Sequence, residues 1–261
     1  MLYIEGAAGI SGDMTVGALL SLGASSQKLK SVLDSLNLGN EFSYTISQKS
    51  SYGMAGTNFD VILPTPHNHH HHGHHHTHPH EHRNLASVEA IIDRGDMSSR
   101  ARTLAKKAFC FVAEAEAKAH GKPIDEVHFH EVGAIDSIVD IVSAAVLFDD
   151  LDETECAVTG LTDGSGSVMC AHGELPVPVP AVLNIAAATG IPLRTSSAKG
   201  ECVTPTGIAL AAAFRTRDSL PQTYKVAKIG TGIGKRDYGR PAILRIWKIE
   251  EVLNNAPEDV K

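Results

Sequence analysis

Apolar and polar positions alternate with clear changes of period along the chain. Leu2-Tyr3-Ile4-Glu5 reads as a short strand. The glycine-rich run GAAGISGD follows it and opens into a helix through MTVGALLSL that ends near Gly23. A second helix is predicted from Ser26 to Leu36, and alternation in FSYTISQ and TNFDVIL predicts two strands before Pro64. Helical spacing returns in Leu85 to Ile92 and in Ser98 to His120, where Gly121 and Pro123 are stop signals. IDSIVDIVSAAVLFDDL is apolar nearly all round, so that helix should be buried. The later half reads as strand-like VTGL, a glycine-rich connection, extended ELPVPVP, a helix through AVLNIAAATG and another after TPTG. Strand, glycine turn and strand close the pattern in YKVAKIGTGIGKRDYGRPAILRIWKI, and no repeat is visible. The expected class is α/β, with mixed α+β as the alternative. The expected division is an N-terminal lobe over 1–64, a disordered linker over 65–84, the rest of the core over 85–249 and a tail over 250–261.

One stretch has almost no apolar surface to bury. Eleven of the fifteen histidines lie between His67 and His82, in HNHHHHGHHHTHPHEH. Such a segment cannot offset its ordering entropy and should be mobile. Its imidazoles suit nickel, zinc and copper, so His69, His70, His71, His72, His74, His75, His76, His78 and His80 are candidate metal ligands. A solvated low-complexity linker, or an expression tag, is the plain alternative.

With 261 residues and 43% hydrophobic content the chain can bury a substantial core. A formal charge of -7 gives no basic field for nucleic acid. The four cysteines, Cys110, Cys156, Cys170 and Cys202, form no CxxC pair and fit reduced thiols. The N-terminus lacks a signal pattern and no apolar run approaches about 18 residues. A soluble cytoplasmic protein without membrane or nucleic-acid partners is expected.

The candidate chemistry is scattered. His128 and His130 would share one face of an extended segment, with Glu131 beside them, and Asp136 and Asp140 would share one stripe of the next helix. Carboxylates inside an apolar helix need a partner or a cation, so metal binding or acid–base chemistry competes with capping and buried ion pairs. HxHE lacks the HExxH spacing of zinc proteases. In the first loop Gly6, Gly9 and Gly12 precede Asp13: backbone amides there could cradle an anion, with Asp13 repelling a phosphate unless a cation intervenes, or Asp13 could cap the helix; Glu5 could join Asp13 at a metal or substrate. His172 in AHGELP is a metal ligand, a proton-transfer group or a structural histidine. Glu201, Thr204 and Thr206 surround a helix start that can present hydroxyls and amides to an anion or be an ordinary cap. Gly230, Gly232 and Gly234 before Lys235 and Arg236 form either an anion loop or a plain hairpin.

In combination, GAAGISGDM, HFHEVGAIDSIVDIV, GSGSVMCAHGELPVPVPA and CVTPTGIAL, with the histidine tract between the first two, resemble the LarC nickel-insertion family over nearly the whole chain. The resemblance implies a nickel chelatase of the lyase class. Such an enzyme completes the nickel-pincer cofactor of lactate racemase by adding nickel to a pyridinium mononucleotide with two thiocarboxylates. CTP, with a divalent cation, is consumed by the complete protein. Full-length members continue into a smaller C-terminal CTP-binding domain where this sequence stops, which suggests a first-frame frameshift product or a shortened form and puts catalysis by this chain alone in question. Implied partners are the precursor, that C-terminal portion, and lactate racemase or other maturation proteins; a homo-oligomer is left open.

On this reading the tract collects nickel and passes it to His128, His130, Glu131, Asp136, Asp140 and His172. His130, Glu131 or Asp136 takes the ring proton, while Gly9, Gly12, Asp13, Thr204, Thr206, Lys235 and Arg236 hold the mononucleotide. A non-catalytic nickel store and a metal-dependent hydrolase are the rival readings.

Overall fold

The computed structural model describes residues 1–64, 83–126, 135–170 and 172–252. The histidine tract, the HFHE segment and most of the 250–261 tail therefore lie outside the described residues. Ten strands and seven α-helices are described, so the class is α/β.

Strands β1 (Leu2–Glu5), β2 (Ser43–Ser51), β3 (Met54–Ile62), β4 (Cys156–Ala157), β9 (Tyr224–Ile233) and β10 (Ile243–Glu251) form one mixed sheet in the order β2-β3-β9-β10-β1-β4. The first and last portions of the chain thus share a sheet. Tyr3 pairs with Trp247 and Ile4 with Ile246 in the antiparallel β1–β10 ladder. A parallel pair joins β5 (Leu161–Ser165) to β8 (Leu193–Lys199), and an antiparallel hairpin joins β6 (Ser167–Cys170) to β7 (Gly173–Pro176).

Helix α1 (Gly12–Leu22) lies against β9 and β3 on one side and α5 (Ile135–Asp150) on the other. Both helices are apolar nearly all round because both are enclosed. In α5, Ile138, Val139, Ile141, Val142 and Leu147 are fully buried. Helix α4 (Ser99–His120) packs across α5, α6 (Pro180–Thr189) and α7 (Pro205–Phe214). The amphipathic helices α2 (Ser26–Ser35) and α3 (Leu85–Arg94) pack on α5 and α4 respectively, burying Leu29, Val32, Leu33, Val88, Ile91 and Ile92. Among the described residues no helix is long and apolar enough to cross a membrane.

Glycines set how closely α1 approaches the sheet. A Cβ on Gly232 would lie 1.9 Å from the Met14 carbonyl oxygen, and one on Gly230 would lie 2.1 Å from that of Ala18. These two residues belong to β9, not to an anion-binding loop. Their local pattern suits either role, and contact with α1 decides between them.

Candidate active site

The first glycine loop and the TPTG turn are laced together. Ile10 N–H donates to the Cys202 carbonyl at 2.9 Å, and Thr204 N–H donates to the Ile10 carbonyl at 3.0 Å. Gly9 meets the Cys202 backbone at this seam and is not on the cavity wall described below. Asp163, fully buried in the middle of β5, holds the same turn. Its Oδ1 accepts from the backbone N–H groups of Gly164, Cys202 and Val203 at 2.7, 2.8 and 2.9 Å. The Thr204 side chain caps α7 by accepting from Gly207 N–H at 3.0 Å. At α1 the N-cap is Ser11 and not Asp13, whose Oδ1 accepts from the Ser11 hydroxyl and from Met14 N–H at 2.8 Å.

This seam forms one side of a cavity of about 600 Å³. Gly12 and Asp13 reach it from α1, Asp136 and Asp140 from α5, and His172 from the β6–β7 turn. Thr204 and Thr206 reach it from the start of α7, and Lys235 and Arg236 from the loop after β9. Five segments that are distant in sequence therefore meet in a space of ligand-binding size. Glu5 lies elsewhere, in a bidentate pair with Arg245. His128, His130, Glu131 and the tract histidines lie outside the described residues.

The electrostatics of this space are unusual. Asp140 turns its carboxylate onto Gly12, where a Cβ would lie 2.5 Å from Oδ2. Its Oδ1 is shielded from solvent and has no hydrogen-bond partner. Desolvation, followed by the charges of Asp13 and Asp136, pushes the Asp140 carboxyl well above its ordinary range; Lys235 and the Asp13 backbone pull the other way. Asp136 is open to the cavity but flanked by protein, and burial raises it too. Lys235 pairs with Asp60 at 2.6 Å. Burial opposes its charge, but the bond to Asp60 and the charges of Asp13, Asp60 and Asp140 outweigh that effect and hold its pKa above the usual value. Arg236 pairs with Glu201 at 3.0 Å, and the Tyr238 hydroxyl donates to the Glu201 carbonyl. Among the described residues no three His, Cys, Asp or Glu side chains are arranged to hold a metal ion. The cavity therefore offers a carboxylate wall, two oriented cations and a helix N-terminus.

Sequence patterns had not drawn attention to Ser11, Glu116, His120 or Asp163. His120 and Glu116 line the cavity from the end of α4, and the His120 ring lies 4.9 Å from that of His172. The only sequence signal was that His120 is one of four histidines outside the tract.

A family model described as "Nickel insertion protein" matches residues 2–260, which takes in every segment that builds the cavity. The chain belongs to the nickel insertion protein family. A pyridinium-3,5-bisthiocarboxylic acid mononucleotide nickel insertion protein of Alkaliphilus metalliredigens is 51% identical over 97% of this chain and 61% of its own length. Proteins of the same name in Acetivibrio thermocellus and Lactiplantibacillus plantarum are 42% and 40% identical, over 100% and 96% of this chain. These alignments cover 62% and 61% of those relatives, so the chain spans about three fifths of the nickel insertion proteins it matches. No solved structure matches it.

Proposed function

We propose that the cavity is where nickel is inserted into the pyridinium bisthiocarboxylate mononucleotide, giving the nickel-pincer cofactor of lactate racemase. Convergence of five segments on a cavity with separate carboxylates and cations carries the reading, because the two reactants have opposite charge. A divalent cation is drawn to Asp13, Asp136 and Asp140, and an anionic mononucleotide to Lys235, Arg236 and the start of α7.

Nickel enters as a substrate. The ligand set combines Asp136, Asp140 and His172 with His128, His130 and Glu131. Carboxylate and imidazole donors hold the ion loosely enough for the softer thiocarboxylate sulfurs to extract it. Bonding of nickel to the ring carbon requires loss of the ring proton, and His130, Glu131 or Asp136 accepts it. Lys235 and Arg236 are pre-oriented by Asp60 and Glu201 and bind the phosphate with Thr204 and Thr206; Gly12 and Asp13 close the other side. The histidine tract collects nickel. CTP use, the lyase class, dependence on a C-terminal portion and a cytoplasmic setting complete this reading.

Reconstitution with purified precursor, nickel and CTP, with and without the C-terminal portion of a longer relative, tests it through lactate racemase activation. Mature cofactor should form when both portions are present. A chain that binds nickel but never yields cofactor under either condition would be a store instead. Removing residues 65–83 should leave insertion intact at abundant nickel and impair it when nickel is scarce, whereas a pure store would lose its role entirely. Lys235→Met and Arg236→Met should each raise the KM for precursor about ten- to a hundredfold, the loss of one charge-assisted contact, with little change in kcat. Unchanged KM in steady-state assays would remove both residues from the phosphate site.

A further inference from the structure

The cavity wall that carries His172 also carries a second imidazole, His120. His120 ends α4, and His172 sits in the turn of the β6–β7 hairpin, so different elements bring the two rings together. Their centroids are 4.9 Å apart, with planes inclined at 49°. A metal about 2.0–2.1 Å from an imidazole nitrogen lies about 3.2 Å from the ring centre. Two imidazoles on one ion then have centres about 4.5 Å apart at a right angle and about 5.2 Å apart at the tetrahedral angle. The observed separation falls between these values. Glu116 Oε2 lies 3.3 Å from His120 Nε2, one helical turn earlier on the same face. A carboxylate on one ring nitrogen orients an imidazole and strengthens the other nitrogen as a ligand.

The pair is reachable from solvent. His172 is exposed and the His120 side chain is 28% exposed, whereas Asp140 Oδ1 is out of solvent reach. We propose that His120 and His172, with Glu116 orienting His120, form a two-imidazole dock that receives a divalent nickel ion before it reaches the carboxylate wall. Two ligands leave the other coordination positions to water or incoming sulfur, so the ion exchanges readily. The dock rests on the reading of this cavity as the insertion site, but its metal binding can be measured without the precursor.

The test uses the full chain with each of the eleven histidines between 67 and 82 replaced by serine, so that the tract does not mask the site. Calorimetric titration with nickel chloride should show binding that His120→Phe and His172→Phe each weaken at least tenfold. The double substitution should add little to either, because one ligand lost already opens the chelate. Phenylalanine keeps ring contact, and circular dichroism confirms the fold. Glu116→Gln should weaken binding less than either histidine change. X-ray absorption at the nickel edge should show imidazole ligation in the parent that falls in each phenylalanine variant. Wild-type affinity in the phenylalanine variants, or a parent spectrum without imidazole, overturns the dock. If the dock binds nickel as described but the reconstituted protein yields no cofactor, the dock stands and the insertion reading falls. If insertion proceeds normally at limiting nickel in His120→Phe, the dock falls and the insertion reading stands.

Discussion

Asp140→Asn should make the metal-free protein more stable at neutral pH and nearly unable to insert nickel. Both effects come from a carboxylate held against Gly12 with one oxygen shielded and unpartnered. The folded state raises the Asp140 carboxyl, chiefly by desolvation and then by the charges of Asp13 and Asp136. Between the ordinary carboxylate range and that raised value, the folded state binds more protons than the unfolded chain. Stability therefore falls as pH rises through this window and returns on acidification, the reverse of a salt-bridged aspartate. Asp136 is shifted in the same direction.

Asparagine cannot ionise, so the penalty disappears above the window. Each kcal/mol gained should raise Tm by about 2–4 °C in a domain of this size. Nickel transfer should fall on the order of a hundredfold, because the neutral amide is a poor ligand for a divalent ion. Thermal melts at pH 5 and pH 7.5, together with the transfer assay, check both halves. A lower Tm at pH 7.5, or transfer at the parent rate, would refute this account of the carboxylate wall.

Gly232→Val should abolish the fold and the site together. The added Cβ would meet the Met14 carbonyl at 1.9 Å and the Ala18 nitrogen at 2.8 Å, both of them backbone atoms that no side-chain rotation can move. Relief requires α1 to leave β9. The expected cost is at least about 3 kcal/mol, beyond the usual range for an overpacked core. Because α1 begins at Gly12 and Asp13, lifting it also opens the cavity. Urea unfolding and soluble yield report the first effect, and nickel affinity the second. A variant with parent-like midpoint and yield would show that the helix is not clamped as described.

Most of the architecture was legible because it depends on local periodicity. Long apolar helices and glycine stops marked α1, α4 and α5 within a residue or two, while β3 begins three residues before the alternation of TNFDVIL and β10 falls in the closing strand pattern. Strand β8 was not legible, because LRTSSAK is mostly polar and buries only Ala198. Strand β6 lay in a glycine-rich run that reads as a connection, whereas β7 includes the start of the extended ELPVPVP. The spacing of Asp136 and Asp140 placed them correctly on one face, and both line the cavity. Asp163 gave no signal, since a single acid among glycines becomes meaningful only when three backbone amides from nearby turns point at it. His120 was similarly hidden, as a basic residue in a last helical turn already has a sufficient local reason.

The seam between the first glycine loop and the TPTG turn has a consequence for transplanting this chemistry. Each segment supplies the other's backbone partner at Ile10, Cys202 and Thr204, and a Cβ on Gly207 would lie 2.3 Å from the Ile10 carbonyl oxygen. A chimera that takes one segment from a divergent relative and keeps the other would join two surfaces shaped for different neighbours. The two, with Asp163, form a single heritable unit almost two hundred residues apart in the chain, and recombination that respects the unit should preserve the cavity where single-segment exchange does not.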